Sequence, residues 1–195
     1  TGVEHFKSEG IEAITLLAKL ARLGTSDPVE AVTEVAPLIE SFEFSKFGRA
    51  TAKFDEEELK SLNAKVLHQL DYADVKDRLP EGMGEQSWLA IRPNIERLSD
   101  VEKWWDVIKG PVAPVIEDQE YLAQALELLP NGDWDQTTWK SWTTQIKDKT
   151  GVKGKALFLP LRLAITGVGY GPEMAALLPL IGQERVEQRL KGQSA

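Results

Sequence analysis

Apolar residues in this chain recur three and four positions apart, in runs that proline and glycine soon interrupt, and no stretch alternates cleanly as a strand would. Ten prolines and fifteen glycines in 195 residues keep each run short. Such a chain must fold as a succession of short helices, so the predicted fold class is mainly α. Its length is enough to bury a real core, between one large domain and two or three small ones.

Local signals place the helices. The segment "IEAITLLAKLARLG" predicts a mostly buried helix, with Glu12, Thr15, Lys19 and Arg22 on a narrow polar stripe. Ile11, Ile14, Leu17, Leu20 and Leu23 fill the rest, and Gly24 stops it. In "SDPVEAVTEVAPLIESF", Asp27 is expected to cap a second helix, with Pro28 in its first turn, Glu30 completing a capping-box pair and Pro37 bending its far end. The stretch "EFSKFGRATAKF" is irregular. A helix then begins at Asp55, with Glu58 three residues on and Phe54 and Leu59 placed as a hydrophobic staple. Its inner face is Leu59, Leu62, Val66, Leu67 and Leu70. Beyond Asp71 the helices are short: Ser99 and Glu102 form a capping box ahead of Val101, Trp104, Trp105 and Ile108. Leu122, Ala125, Leu126 and Leu129 mark the next, and Trp139, Trp142 and Ile146 another, with "GPVAP" and "PNGDW" as linkers. At this spacing most of the six tryptophans are core residues.

Several function classes are excluded. His5 and His68 lie far apart without metal-ligand spacing, and neither a phosphate-cradling glycine loop nor a Gly-x-Ser-x-Gly elbow is present. No carboxylate pair is singled out by pattern, so the isolated chain is not expected to be an enzyme, and no metal or cofactor site is assigned to it. No apolar run approaches bilayer length, and the absence of cysteine fits a reducing cytosol, so a cytoplasmic protein without membrane contact is expected. The first residue is Thr1 and not Met, which points to a product cut from a longer chain. A net charge of −8 argues against a generic nucleic-acid coat. Charge is nevertheless uneven. Lys140, Lys147, Lys149, Lys153, Lys155 and Arg162 stand against Asp148 alone, a local +5, and Lys46, Arg49 and Lys53 form a weaker cluster.

The stretch "KGKALFLPLRLAITGVGYGP" concentrates the question. Arg162 and Thr166 are four apart on one helix face, a stripe that reaches back toward Lys155, while Leu157, Leu161 and Ile165 take the other. Gly167 ends that helix, and Pro172 opens the next with its N–H groups toward the turn. A guanidinium beside a glycine turn suits single-stranded bases. A salt bridge from Arg162 to Glu173 or Glu184 accounts for the same residues, and helix geometry alone leaves the two readings level.

"KGKALFLPLRLAITGVGYGPEMAALLPLIGQERVEQRL" closely resembles the C-terminal end of bacterial-type glutamyl-tRNA synthetases, class I aminoacyl-tRNA synthetases. "EGIEAITLLAKLARLGTSDP" and "FEFSKFGRATAKFDEEELKSLNAKVLHQL" resemble the stretch following the catalytic signature loop in the same family, in the same order. The family's His-Ile-Gly-His-like and Lys-Met-Ser-Lys-Ser-like motifs, which serve ATP, Mg²⁺ and glutamate in a Rossmann-type domain, are absent here. The resemblance therefore implies a stem-contact-like region over residues 1–70 and a helical anticodon-binding cage in two halves, 71–130 and 131–195. It implies that Arg162 contacts an anticodon base, that Gly171, Pro172 and Met174, with Thr166, line its pocket, and that Arg92 or Arg97 is a further contact. Gly171 replaces a polar residue of some members, leaving backbone contact alone. Lys147, Lys149, Lys153 and Lys155, with Lys46, Arg49 and Lys53, are expected on tRNA phosphates. The implied partner is tRNA(Glu) and not DNA, bound by a monomer. The competing readings are a free-standing non-catalytic tRNA-binding paralogue and an acidic helical protein-interaction module.

Overall fold

The computed structural model describes residues 2–49 and 51–195; Thr1, whose identity prompted the reading of a processed start, and Ala50 lie outside the described residues. Among the described residues regular structure is helical, and strand-like pairing is limited to an isolated bridge between Thr25 and Phe47. No described helix is long and apolar enough to cross a membrane. The chain divides into two compact units: the described residues up to Glu81 with Arg92–Val101, and Gly82–Ile91 with Glu102–Ala195.

The first unit carries α1 (Val3–Ser8), α2 (Ala13–Arg22), α3 (Ala36–Glu40), α4 (Glu56–Leu67) and α5 (Tyr72–Val75). Helix α4 forms as its sequence signals require. The Asp55 carboxylate accepts from the N–H groups of Glu58 (3.2 Å) and Glu57 (2.9 Å), and these bonds hold its pKa below the ordinary carboxylate value. Leu59, Leu62, Val66, Leu67 and Leu70 are buried, the predicted inner face.

Helix α2 is rolled over relative to expectation. Its buried residues are Thr15, Ala18 and Lys19, whereas Leu17 and Leu20 are 46% and 47% exposed. The cause is the partner helix. Asn63 on α4 is fully buried, and its Oδ1 accepts from the Thr15 hydroxyl (3.0 Å) and the Glu12 N–H (2.8 Å). Its Nδ2 donates to the carbonyls of Gly10 (3.1 Å) and Glu96 (2.8 Å). Lys19 pairs with Glu58, and Ala18 packs with Leu38 and Leu62. The polar stripe is thus satisfied inside, and Leu17 is left to line a shallow apolar hollow with Val35, Ile39 and Phe42.

Two expected caps are not formed. Residues 27–35 are not helical, and α3 starts at Ala36 with Pro37 in its first turn. Asp27 is drawn instead into ion pairs with Lys46 (3.0 Å) and Arg22 (3.6 Å), so its carboxylate is not spent on a helix start. Ahead of α7 the capping carboxylate is Asp100, which accepts from the N–H groups of Glu96 (3.0 Å) and Arg97 (2.9 Å), and not Ser99 with Glu102.

The second unit contains α6 (Glu85–Ile91), α7 (Val101–Lys109, its first residue counted with the first unit), α8 (Gln119–Glu127) and α9 (Thr138–Thr150). It continues through α10 (Lys155–Thr166), α11 (Met174–Ile181) and α12 (Gln183–Leu190). Helix α11 packs on α6, α9 and α12, and α10 on α9 and α12. Trp88, Trp104 and Trp142 are buried, while Trp105, Trp134 and Trp139 are partly exposed. Buried polar atoms find partners across the helices. The Trp142 Nε1–H donates to the Ala125 carbonyl (3.0 Å), and the Tyr121 hydroxyl to that of Leu157 (2.6 Å), with burial pushing the Tyr121 pKa up to about 12.

The deepest of these groups is Arg189 on α12, with no exposed surface. Its Nη1 donates to the carbonyls of Val107 and Ile165, each at 2.8 Å, and its Nε to that of Ala195 at 2.7 Å. Burial pushes its pKa down to about 10, which leaves it charged at neutral pH. Arg189→Met keeps the stem but removes the donors, and should lower stability by about 3 kcal/mol or more. Arg189→Lys should recover only part, because an ammonium cannot reproduce the guanidinium fork. Urea unfolding followed by circular dichroism checks both, and a wild-type midpoint in the Met variant would contradict the assignment.

Candidate nucleic-acid interface

Helix α10 brings Arg162 to the turn that joins it to α11. Gly167 ends the helix in the left-handed region (φ +75°), which spares it the steric penalty a side chain would meet. The next helix begins at Met174, two residues later than its sequence suggests, so Pro172 belongs to the turn. The Arg162 Nη2–H donates to the Pro172 carbonyl at 3.0 Å. Thr166, one turn further along the same face, is buried, and its hydroxyl lies within hydrogen-bonding distance of the carbonyls of Arg162 (2.8 Å) and Val168 (2.9 Å). One helix face thus builds the turn from beneath.

The Arg162 guanidinium is half-used. Its Nη1 is covered and has no hydrogen-bond partner, and no carboxylate forms an ion pair with it among the described residues. Burial pushes its pKa down from the ordinary arginine value, with Glu173 opposing that shift at longer range. The salt bridge to Glu173 or Glu184 that competed with base reading is not formed. Arg189 also has one unpartnered Nη, but no part of that residue reaches the surface. Arg162 is only partly enclosed, and its covered Nη1 lies beneath the part of the side chain that reaches the surface.

Gly171 is fixed by its surroundings. Its φ is +118°, and a Cβ there would lie 2.1 Å from Cη2 of the Trp104 indole. The space of a side chain at 171 is already filled by Trp104. Pro172 and Met174 are buried beside it. Tyr170, which sequence reasoning did not single out, is 60% exposed and meets Trp104 edge to face, with centroids 6.0 Å apart. Its signal was an aromatic residue between two turn glycines, outside any helical spacing.

The remaining predicted residues are spread more widely. Lys147 and Lys149 lie in the last turn of α9, Lys153 in the connection, and Lys155 at the start of α10, all exposed. Lys149 is tied to Glu127 at 2.6 Å, and that pair holds the Glu127 pKa below its ordinary value. Arg162 follows Lys155 by two helical turns, about 10 Å along the axis. In the first unit Arg49 and Lys53 are exposed, while Lys46 is engaged by Asp27. Arg92 also belongs to the first unit, where it donates to the Leu70 carbonyl at 2.7 Å. Arg97 approaches Glu9 at 3.8 Å. Among the described residues no group of His, Asp or Glu side chains is arranged to hold a metal ion.

The profile of the anticodon binding domain family matches residues 85–193. Glutamate–tRNA ligase 1 of Zymomonas mobilis is 52% identical over 192 residues, covering 97% of this chain and 43% of that protein. Glutamate–tRNA ligase 2 of Erythrobacter litoralis is 47% identical over 193 residues, covering 97% and 42%. A crystal structure of a glutamate tRNA ligase from Elizabethkingia meningosepticum shares the fold, with a TM-score of 0.73 at 18% identity over 95% of this chain and 41% of the other. The chain spans less than half the length of these relatives.

Gly171→Ala should lower the melting temperature by roughly 5 °C or more, from strained backbone and overlap with the indole together. Trp104→Leu in the same chain should recover part of that loss. Thermal melts of both variants measure it, and a double variant no better than Gly171→Ala would assign the whole effect to the backbone.

Proposed function

The chain belongs to the anticodon binding domain family of the glutamate–tRNA ligases, and from that premise we propose that it recognises the anticodon loop of tRNA(Glu) through Arg162. The observation that carries this reading is the half-used guanidinium. A covered N–H without an acceptor costs about 1–3 kcal/mol, and a base edge from a splayed-out loop that displaces the cover over Nη1 would remove that cost. The planar fork at Arg162 suits a base edge, while Pro172 and Met174 supply the apolar wall behind it. Lys147, Lys153 and Lys155 hold phosphates on the approach, with Arg49 and Lys53 serving another part of the tRNA. Activation of glutamate with ATP and Mg²⁺ belongs, in this proposal, to the portion of the ligases that the chain does not span. The full cytoplasmic enzyme charges tRNA(Glu), and this chain selects it.

Binding to tRNA should weaken steeply with salt despite the acidic total. Neutralising Lys147, Lys153 and Lys155 together should flatten the dependence of log K on log salt by about two to three units. An unchanged slope, read by filter-binding titration, would move the phosphate contacts elsewhere.

Arg162→Ala should cost on the order of 1–3 kcal/mol against cognate tRNA and relax discrimination at one anticodon position, with Arg162→Lys rescuing little. Titration with wild-type and anticodon-substituted tRNA separates the roles. Equal losses on both tRNAs by a stable Ala variant would reduce Arg162 to a phosphate contact.

A further inference from the structure

An exposed tyrosine is ordinary by itself. Tyr170 is not free to wander, however, because two neighbours, Trp104 and Lys103, fix where its ring stands. Trp104 meets it at an interplanar angle of 88°, the edge-to-face arrangement favoured by the ring quadrupoles. The Lys103 ammonium donates to its hydroxyl and lies 4.4 Å from its ring centroid and 4.9 Å from that of Trp104, so one cation serves two rings. The backbone beneath is pinned as well. Gly171 is held against the indole, and the Pro172 carbonyl is held by Arg162. The rest of the ring stays open, since the residue keeps 60% of its surface exposed.

A rigid aromatic surface with an ammonium at its edge is what an unpaired nucleotide needs: a π-face for its base and a cation for its phosphate. Pro172 is two positions on from Tyr170, at most about 7 Å of chain, so Arg162 and Tyr170 can be met by one loop of RNA. We propose that Tyr170 is a stacking platform for an unpaired base of the tRNA loop, and that Lys103 contacts the adjoining phosphate. The inference rests on the reading of this chain as a tRNA-binding domain. It adds a sequence-tolerant grip beside the base-reading arginine, because every base has a π-face. Trp104 itself is buried and acts only by positioning Tyr170.

The test uses the whole chain and an anticodon stem-loop RNA carrying 2-aminopurine at one unpaired position at a time. The wild type should quench the fluorescence of at least one position on binding. Tyr170→Ala should abolish that quenching and weaken binding about 5- to 100-fold. Tyr170→Phe, which keeps the ring and loses the hydroxyl, should bind within about threefold of the wild type, whereas Tyr170→Leu, apolar but without a π-face, should behave as Ala. Lys103→Gln should lower the salt slope by about one unit. Affinity and quenching unchanged in both Ala and Leu variants, or an equal loss in Phe, would overturn the stacking role. The two levels separate cleanly. Salt-sensitive binding by the wild type that Arg162→Ala weakens but Tyr170→Ala does not would sink this inference alone. Absence of tRNA binding by the wild type would sink both.

Discussion

A single buried cation organises the second unit. The Val107 and Ile165 carbonyls that Arg189 binds belong to the last turns of α7 and α10, where a helix has no intrahelical donor left for them. Each helix end is equivalent to roughly half a negative charge, so two of them offset much of the guanidinium's charge. Arg189 also ties together the helix that carries Lys103 and Trp104 and the helix that carries Arg162. The turn above Trp104 can therefore be built to tight tolerances, as the indole filling the side-chain space of Gly171 requires.

The two arginines make an instructive contrast. Arg189 spends its Nε and Nη1 on the fold, keeps its Nη2 without a partner, and is closed to everything outside. Arg162, one position from the middle of its own helix, spends one Nη on the Pro172 carbonyl and keeps the other without a partner. The chemistry of the side chain is the same, and what differs is the supply of backbone carbonyls around it. In the first unit Asn63 plays a comparable organising part, with its amide satisfied on both oxygen and nitrogen by two separate segments, Gly10 to Thr15 and Glu96.

Local signals carried much of this into the sequence. The Asp55 cap, the inner face of α4, the glycine that ends α10 and the pairing of Arg162 with Thr166 on one face are all short-range features, and each is read from residues within a few positions. Failures came where a distant partner decided. The apolar face of α2 points outward because Asn63 and Glu58, about forty or more positions on, satisfy its polar stripe. Asp27 left its helix start for Lys46. Arg189 drew no notice, since its worth depends on two carbonyls brought in from 82 and 24 residues away. The site was half legible for the same reason. Arg162 and the glycine turn stand together in one stretch of sequence, while the indole that fills the turn comes from another helix.

That indole also limits what can change around it. Positions 104 and 171 are coupled, although they stand 67 positions apart. A side chain at 171 can be accommodated only if the Trp104 indole moves or gives way to something smaller, and either change disturbs the edge-to-face neighbour of Tyr170. The turn therefore trades a side chain at 171 against a braced ring at its rim.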